Sequence, residues 1–277
     1  MTRLPAVFDG ILALPMPLLI GFLMLYWGCF AVVVHWYLVP WIAGRNGEKL
    51  GRLEAEVPAQ IGLAFGLLVS FIAMPIWEEH GRAEEAARTE AAAYREMQEA
   101  LVEETSASSR TLTGLVQQSV EFVAFEEWPQ LAHLPTPRIE APPLRSLRHA
   151  IHELPDETLK TELRDHLRQA TEARQTRLRI AATRPAPARW GIIGALAILT
   201  LLGVGLIHAE SYRARRIALS MVAVGITCCF VILMAYTRPY LGQFAVKPDD
   251  LVELVDEMRA DERLALSTPP EPGTVGR

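Results

Sequence analysis

Four runs of apolar residues, none containing a charged side chain for about 19 to 23 positions, constrain this chain more than any other feature. They lie at Pro17 to Val39, Val57 to Trp77, Trp190 to His208 and Ile217 to Tyr236. At about 1.5 Å per residue, helices of this length cross a hydrocarbon core of about 30 Å. Backbone amides inside a bilayer must find partners within their own segment or a protein neighbour, so the runs are expected to be helical. Aromatic residues stand at their ends as interfacial anchors do: His35-Trp36-Tyr37 with Trp41, Trp77, Trp190, and Tyr236 with Tyr240.

Composition alone would have pointed elsewhere. A chain of 277 residues that is 51% hydrophobic and 21% charged fits a large soluble domain until one sees that the charges fill the gaps between the apolar runs. The net charge of -5 and the lack of basic clusters interleaved with aromatics give no reason to expect nucleic acid as a partner. Cys29, Cys228 and Cys229 all fall inside apolar runs, where a thiol packs as a small apolar group, so no disulfide framework is expected. Arg3 is the one basic residue before the first run, which is too long for a signal-peptide core, and the run is read as a retained span.

The connections decide the organisation. Gly44 to Lys49 joins the first two spans and Glu210 to Arg216 the last two; both are short enough to force antiparallel hairpins. The expected fold is therefore all-α and integral to the membrane, with four transmembrane helices in two hairpins and a soluble helical insert between the second and third. Its divisions are a hairpin over residues 1–77, the insert over 78–189, a second hairpin over 190–240 and a partly disordered tail over 241–277.

Within the insert, Glu78 to Glu104 is rich in Ala, Glu and Arg, lacks proline, and continues the second span as one long helix. A further helix carries Leu112, Leu115, Val116, Val120 and Val123 and is expected to stop at Glu127-Trp128-Pro129. Pro135, Pro137, Pro142 and Pro143 mark an irregular connector. After it come a short helix with Leu144, Leu147, Ile151 and Leu154, and a longer one with Leu159, Leu163 and Leu167, N-capped by Asp156 and ending near Pro185. The tail thins out in apolar residues beyond Asp261.

No catalytic motif stands in the chain. Gly44 to Lys49 lacks the spacing of a phosphate loop, and neither a G-x-S-x-G nor an H-E-x-x-H is present. His149 and His152 can share a helix face but have no third ligand at useful spacing, so they read as a solvated pair and no metal or other cofactor is expected. His35 and His208, near span ends, read as interfacial anchors, and Glu78, Glu79, Glu84 and Glu85 among Arg82 and Arg88 as a solvated, internally paired helix face.

The second span carries the most informative pattern. Gly62, Gly66 and Ser70 recur every four residues and give one helix side small enough for a close neighbour. That neighbour is either the first span of the same chain or another copy assembled around an axis. In the second case Leu67 and Phe71, on another face, point inward. Pro75 removes a backbone donor and should kink the helix.

Several short segments together resemble a known family. Val69-Ser70-Phe71 leads into Trp77-Glu78-Glu79-His80 and Glu90-Ala91; Glu127-Trp128-Pro129, Arg174 with Arg177-Leu178, and Pro187 to Trp190 follow. Arg238-Pro239-Tyr240-Leu241-Gly242 and Val246-Lys247-Pro248 close the set. With the two-span, insert, two-span layout, these resemble the bestrophin-like family of bacterial membrane proteins, the DUF4239 domain, from about Ala64 to Leu251. Thr237 stands where that family often has an acid.

The resemblance implies the functional expectation. Bestrophins are oligomeric anion channels whose second span carries an apolar constriction beside a Ser-Phe pair like Ser70-Phe71. Leu67 and Phe71 are the corresponding positions, and an apolar ring of this kind gates by dewetting. Pro75 falls where a third constriction residue would sit. The expected function is an oligomeric channel for an inorganic anion in the inner membrane, with the lipid bilayer and further copies of the chain as partners. The alternative is a non-conducting scaffold or sensor whose insert binds a partner. Basic residues near the span ends favour the side holding the N-terminus, insert and tail as cytoplasmic, as in bestrophins.

Overall fold

The computed structural model describes residues 10–12, 14–44, 56–102, 104, 107–133, 141–183 and 187–267, and among these it contains helices and no strand. The helices are α1 (Met16–Ala43), α2 (Glu56–Val102), α3 (Ala107–Glu121, running on to Leu131), α4 (Pro142–His152), α5 (Glu157–Ala182), α6 (Pro187–Ile207), α7 (Tyr212–Tyr236) and α8 (Asp249–Ser267). Four of them, α1, α2, α6 and α7, are long and apolar enough to cross a membrane. They contain the four apolar runs, save His208, which lies just past the end of α6. The second span and the first helix of the insert are one continuous element of 47 residues.

Two helices pass through prolines that would ordinarily end them. In α1 the turn before Pro40 widens into a π segment, Val34–Leu38, and the Val39 amide reaches back five residues to the Val34 carbonyl. After α3 the segment Phe122–Glu127 does the same ahead of Pro129, with the Trp128 amide bonded to the Val123 carbonyl. A proline ring clashes with the carbonyl four residues earlier, and that carbonyl lies inside the widened turn in both cases. This corrects the expected stop at Glu127-Trp128-Pro129: the helix continues to Leu131.

Other boundaries follow local chemistry. Asp156 caps α5, its Oδ1 accepting from the Thr158 amide at 2.8 Å and the Leu159 amide at 3.3 Å. Gly44 closes α1 at φ 83°, a left-handed conformation that glycine adopts without strain. Residues 45–50, Pro135, Pro137, Pro185 and the end of the tail lie outside the described residues, whereas Pro142 and Pro143 open α4.

The chain forms two compact units. One comprises Met1–Gly81 with Arg184–Ala245, the other Arg82–Thr183 with Val246–Arg277. In the first, Trp27 of α1 packs on Phe230 of α7 with ring centroids 5.1 Å apart, and Leu19, Leu23, Ile193, Leu201 and Leu219 are buried around them. Gly203 admits Pro58 of α2 so closely that a Cβ there would lie 2.9 Å from the proline ring. Gly205 admits Val34 and Val39 of α1 in the same way.

The second unit closes around Ala83, Tyr94, Met97, Leu101, Leu112, Val116, Leu147 and Leu163. α8, which the sequence pattern did not single out, belongs to it and buries Leu251, Leu254, Val255 and Met258. Arg259 of α8 donates to Glu121 at 3.0 Å, and Arg95 pairs with Glu257 at 3.3 Å.

Candidate functional site

The second span meets its own chain at few points. Its apolar window is 11% buried, against 28%, 33% and 44% for the windows of α1, α6 and α7. Gly62 faces α6, where a Cβ would lie 3.8 Å from the Thr200 methyl, so its packing partner in the described structure is the third span and not the first. At Gly66 a Cβ would meet nothing within 4 Å. Ser70 is exposed and its hydroxyl donates to the Gly66 carbonyl at 3.0 Å, which leaves the helix surface there low and internally satisfied.

Leu67 and Phe71 lie one turn apart on the adjacent face and are 52% and 73% exposed. Val57, Leu63, Met74 and Trp77 of the same helix are exposed as well. Pro75 lies inside the helix and withholds the amide that would otherwise bond the Phe71 carbonyl.

The insert contains a constellation that the sequence listed only as scattered family-like fragments. Glu90 of α2, Glu127 after α3 and Arg177 of α5 are all fully buried, and Arg174 is nearly so. The Arg177 Nε donates to Glu90 Oε2 at 2.8 Å and its Nη2 to Glu90 Oε1 at 3.2 Å, a two-pronged pairing, while Nη2 also reaches Glu127 Oε1. Arg174 Nε donates to Glu127 Oε2 at 2.8 Å. Two acids and two guanidinium groups thus cancel, as burial requires.

Trp128 covers the cluster. The Arg177 guanidinium carbon lies 4.6 Å from the centroid of its ring, and its indole Nε1 donates to the Val246 carbonyl at 3.1 Å. Removal from water pushes the Glu90 carboxyl above the ordinary carboxylate range against the pull of Arg177. Burial likewise raises the Tyr94 hydroxyl, with Glu90 adding to the effect. Among the described residues Arg177 Nη1 and the Tyr94 hydroxyl are buried without a hydrogen-bond partner.

The histidines separate. His35 is 5% exposed, and its ring accepts from Arg215 Nε at Nδ1, 3.1 Å away. It is a buried partner of α7, which corrects the reading of His35 as an interfacial anchor; Arg215 reaches it from the first turn of α7. The His208 Nδ1 lies 3.0 Å from the Val204 carbonyl of its own helix. His149 lies 3.2 Å from Glu153 on an exposed face. No group of three or more His, Cys, Asp or Glu side chains among the described residues is arranged to hold a metal.

Comparison with known proteins agrees with this layout. The family pattern described as a bestrophin-like domain matches residues 28–251. A bacterial bestrophin homologue from Klebsiella pneumoniae, solved in a substituted form, superposes with a TM-score of 0.66 at 14% identity, covering 87% of this chain and 99% of that one. A second substituted form superposes with 0.66 at 13%, covering 88% and 98%. A structure described only as a membrane protein gives 0.67 at 12%, covering 87% and 97%. No curated protein matches. At such identities the likeness is one of fold.

Proposed function

The chain belongs to the bestrophin-like family, and from that membership we propose that copies of it assemble around a common axis into an ion channel that passes inorganic anions, with α2 lining the path. The observation that carries this reading is the low coverage of α2 by its own chain. An apolar helix surface of that extent needs lipid or further copies to cover it.

On this reading the open side at Gly66 and Ser70 lets a neighbouring helix approach closely, while Gly62 stays against its own third span. Leu67 and Phe71, one position further on and hence about 100° around the helix, face the axis. A ring of Phe71 side chains then forms an apolar constriction that water leaves more readily than it fills, and ions cross only when the ring wets or widens. The N-terminus, insert and tail are on the cytoplasmic side of the inner membrane.

Purified protein in planar bilayers tests this. The expected result is an oligomer that conducts, and Phe71→Ala should raise its conductance or leak because the barrier is the apolar ring. A monomeric mass with no current in any salt would remove the channel and leave a membrane-anchored scaffold, with the insert as its binding surface.

A further inference from the structure

A groove of about 680 Å³ runs along the outer surface of α1 and α7, bordered on α1 from Met24 to Trp36 and on α7 from Tyr212 to Thr227. The two helices are antiparallel here, since Trp27 meets Phe230 toward one end and His35 meets Tyr212 toward the other. From Met24 to Trp36 the groove extends about 18 Å at about 1.5 Å per residue, slightly more than half of a hydrocarbon core of about 30 Å. It is as deep as one leaflet.

Its walls change character along that depth. Leu25, Val32, Leu219 and Val224 make the deep part apolar, and the hydroxyls of Ser220 and Thr227 are spent on carbonyls of their own helix. The mouth carries His35, Trp36, Tyr212 and Arg216, and among the described residues no acid lines it. Trp36, Tyr37, Trp41 and Tyr212 are exposed around it, the aromatic belt of a membrane interface.

His35 supplies an unused donor. A guanidinium can only donate, so the bond from Arg215 makes Nδ1 the acceptor and leaves the imidazole proton on Nε2. That Nε2 is buried with no partner among the described residues, in a residue that lines the groove.

We propose that the groove binds an anionic phospholipid, one acyl chain lying along its apolar depth and the phosphate held by Arg216 and the His35 Nε2–H. An amphiphile one leaflet long with a negative head matches both the length of the groove and the cationic, donor-bearing mouth. The groove is lined by α1 and α7 and by no residue of α2, so the site stands whether or not the protein conducts.

Native mass spectrometry of the full-length protein, with phosphatidylglycerol or phosphatidylcholine added at equal concentration, tests the proposal. Phosphatidylglycerol should be retained preferentially, and Arg216→Glu should weaken its retention about tenfold, the effect of losing one charge-assisted contact. Gly28→Leu, whose Cβ enters open space, should also displace the lipid by filling the groove without touching the mouth. Equal retention of the two lipids overturns the proposal. So does competition by inorganic phosphate combined with a neutral Gly28→Leu, which would make the mouth a site for free phosphate. A Gly28→Leu that alters oligomer mass and leaves lipid retention intact assigns the groove to a second copy of the chain and overturns it as well.

Discussion

Arg177 keeps a full charge at zero exposure because three of its contacts are with groups that want that charge: Glu90, Glu127 and the face of Trp128. Removing it strands two carboxylates in the insert, so Arg177→Met should cost about 3–5 kcal/mol, visible as a lowered melting temperature. Arg177→Lys should recover little, since an ammonium cannot pair in two prongs with Glu90 and lie flat on Trp128. The pH dependence has a definite sign. Burial raises the folded pKa of Glu90 above its ordinary 4.5, so between those two values the folded state holds a proton that the unfolded chain has released, and above them Glu90 is the carboxylate that pairs with Arg177. The stability this provides is complete below about 4.5 and is lost as pH rises toward the raised value. Melting temperatures across this range should fall with pH for the native protein relative to Glu90→Gln, which cannot ionise; parallel curves would exclude Glu90 as the titrating group.

At Gly203 and Gly205, α6 meets its neighbours where it has no side chain. At Gly205 a Cβ would lie 2.9 Å from the Val39 methyl and 3.0 Å from that of Val34, on a segment already shaped by its π turn. Gly205→Ala should therefore destabilise the spanning unit by about 1–3 kcal/mol through overpacking, measured as loss of thermal stability in detergent. Gly66 is the opposite case. Its Cβ position is open within the chain, so Gly66→Leu should leave the single chain folded while disrupting the oligomer, and Leu68→Ile should leave both unchanged. Light scattering with a melting curve on the same sample separates the two effects. An unaltered oligomer mass for Gly66→Leu would detach this face from assembly.

At the level of the whole molecule, orientation in the membrane depends on the basic residues at the span ends. Arg45, Lys49, Arg52, Arg213, Arg215 and Arg216 flank the short turns, and Arg3, Arg82, Arg88, Arg177, Arg179, Arg184, Arg189, Arg238 and Lys247 lie near the other ends of the spans. Two of the second set do not act as free cytoplasmic charges, because Arg177 is neutralised in its cluster and Arg238 is buried. The proposed cytoplasmic assignment rests on the larger set and on the absence of cysteine in the insert. With Cys29, Cys228 and Cys229 replaced, a cysteine at Ser108 should resist an impermeant maleimide in intact cells while one at Asn46 reacts. The reverse labelling would move the insert to the outside.

Four spans, the continuation of the second into the insert, and the Asp156 cap were all legible in the sequence, because each depends on a local run of residues: apolar length, helix propensity without proline, and a carboxylate before free amides. The small-residue face at Gly62, Gly66 and Ser70 was legible as a pattern, but its partner was not, since spacing along one helix does not say which helix lies opposite. The same limit applied to Glu90, Glu127, Arg174 and Arg177. Each stood in a separate fragment of a family pattern until α2, α3 and α5 brought the four together. Proline at position 129 read as a stop, and only the packed helix, which could widen one turn to a π segment and keep going as it also does before Pro40, decided otherwise. The sequence determined what could be buried in lipid and what could be helical, because those are properties of a segment and its solvent. Which charges cancel, and which glycine admits which neighbour, was left to tertiary structure, because those depend on contacts between residues far apart in the chain.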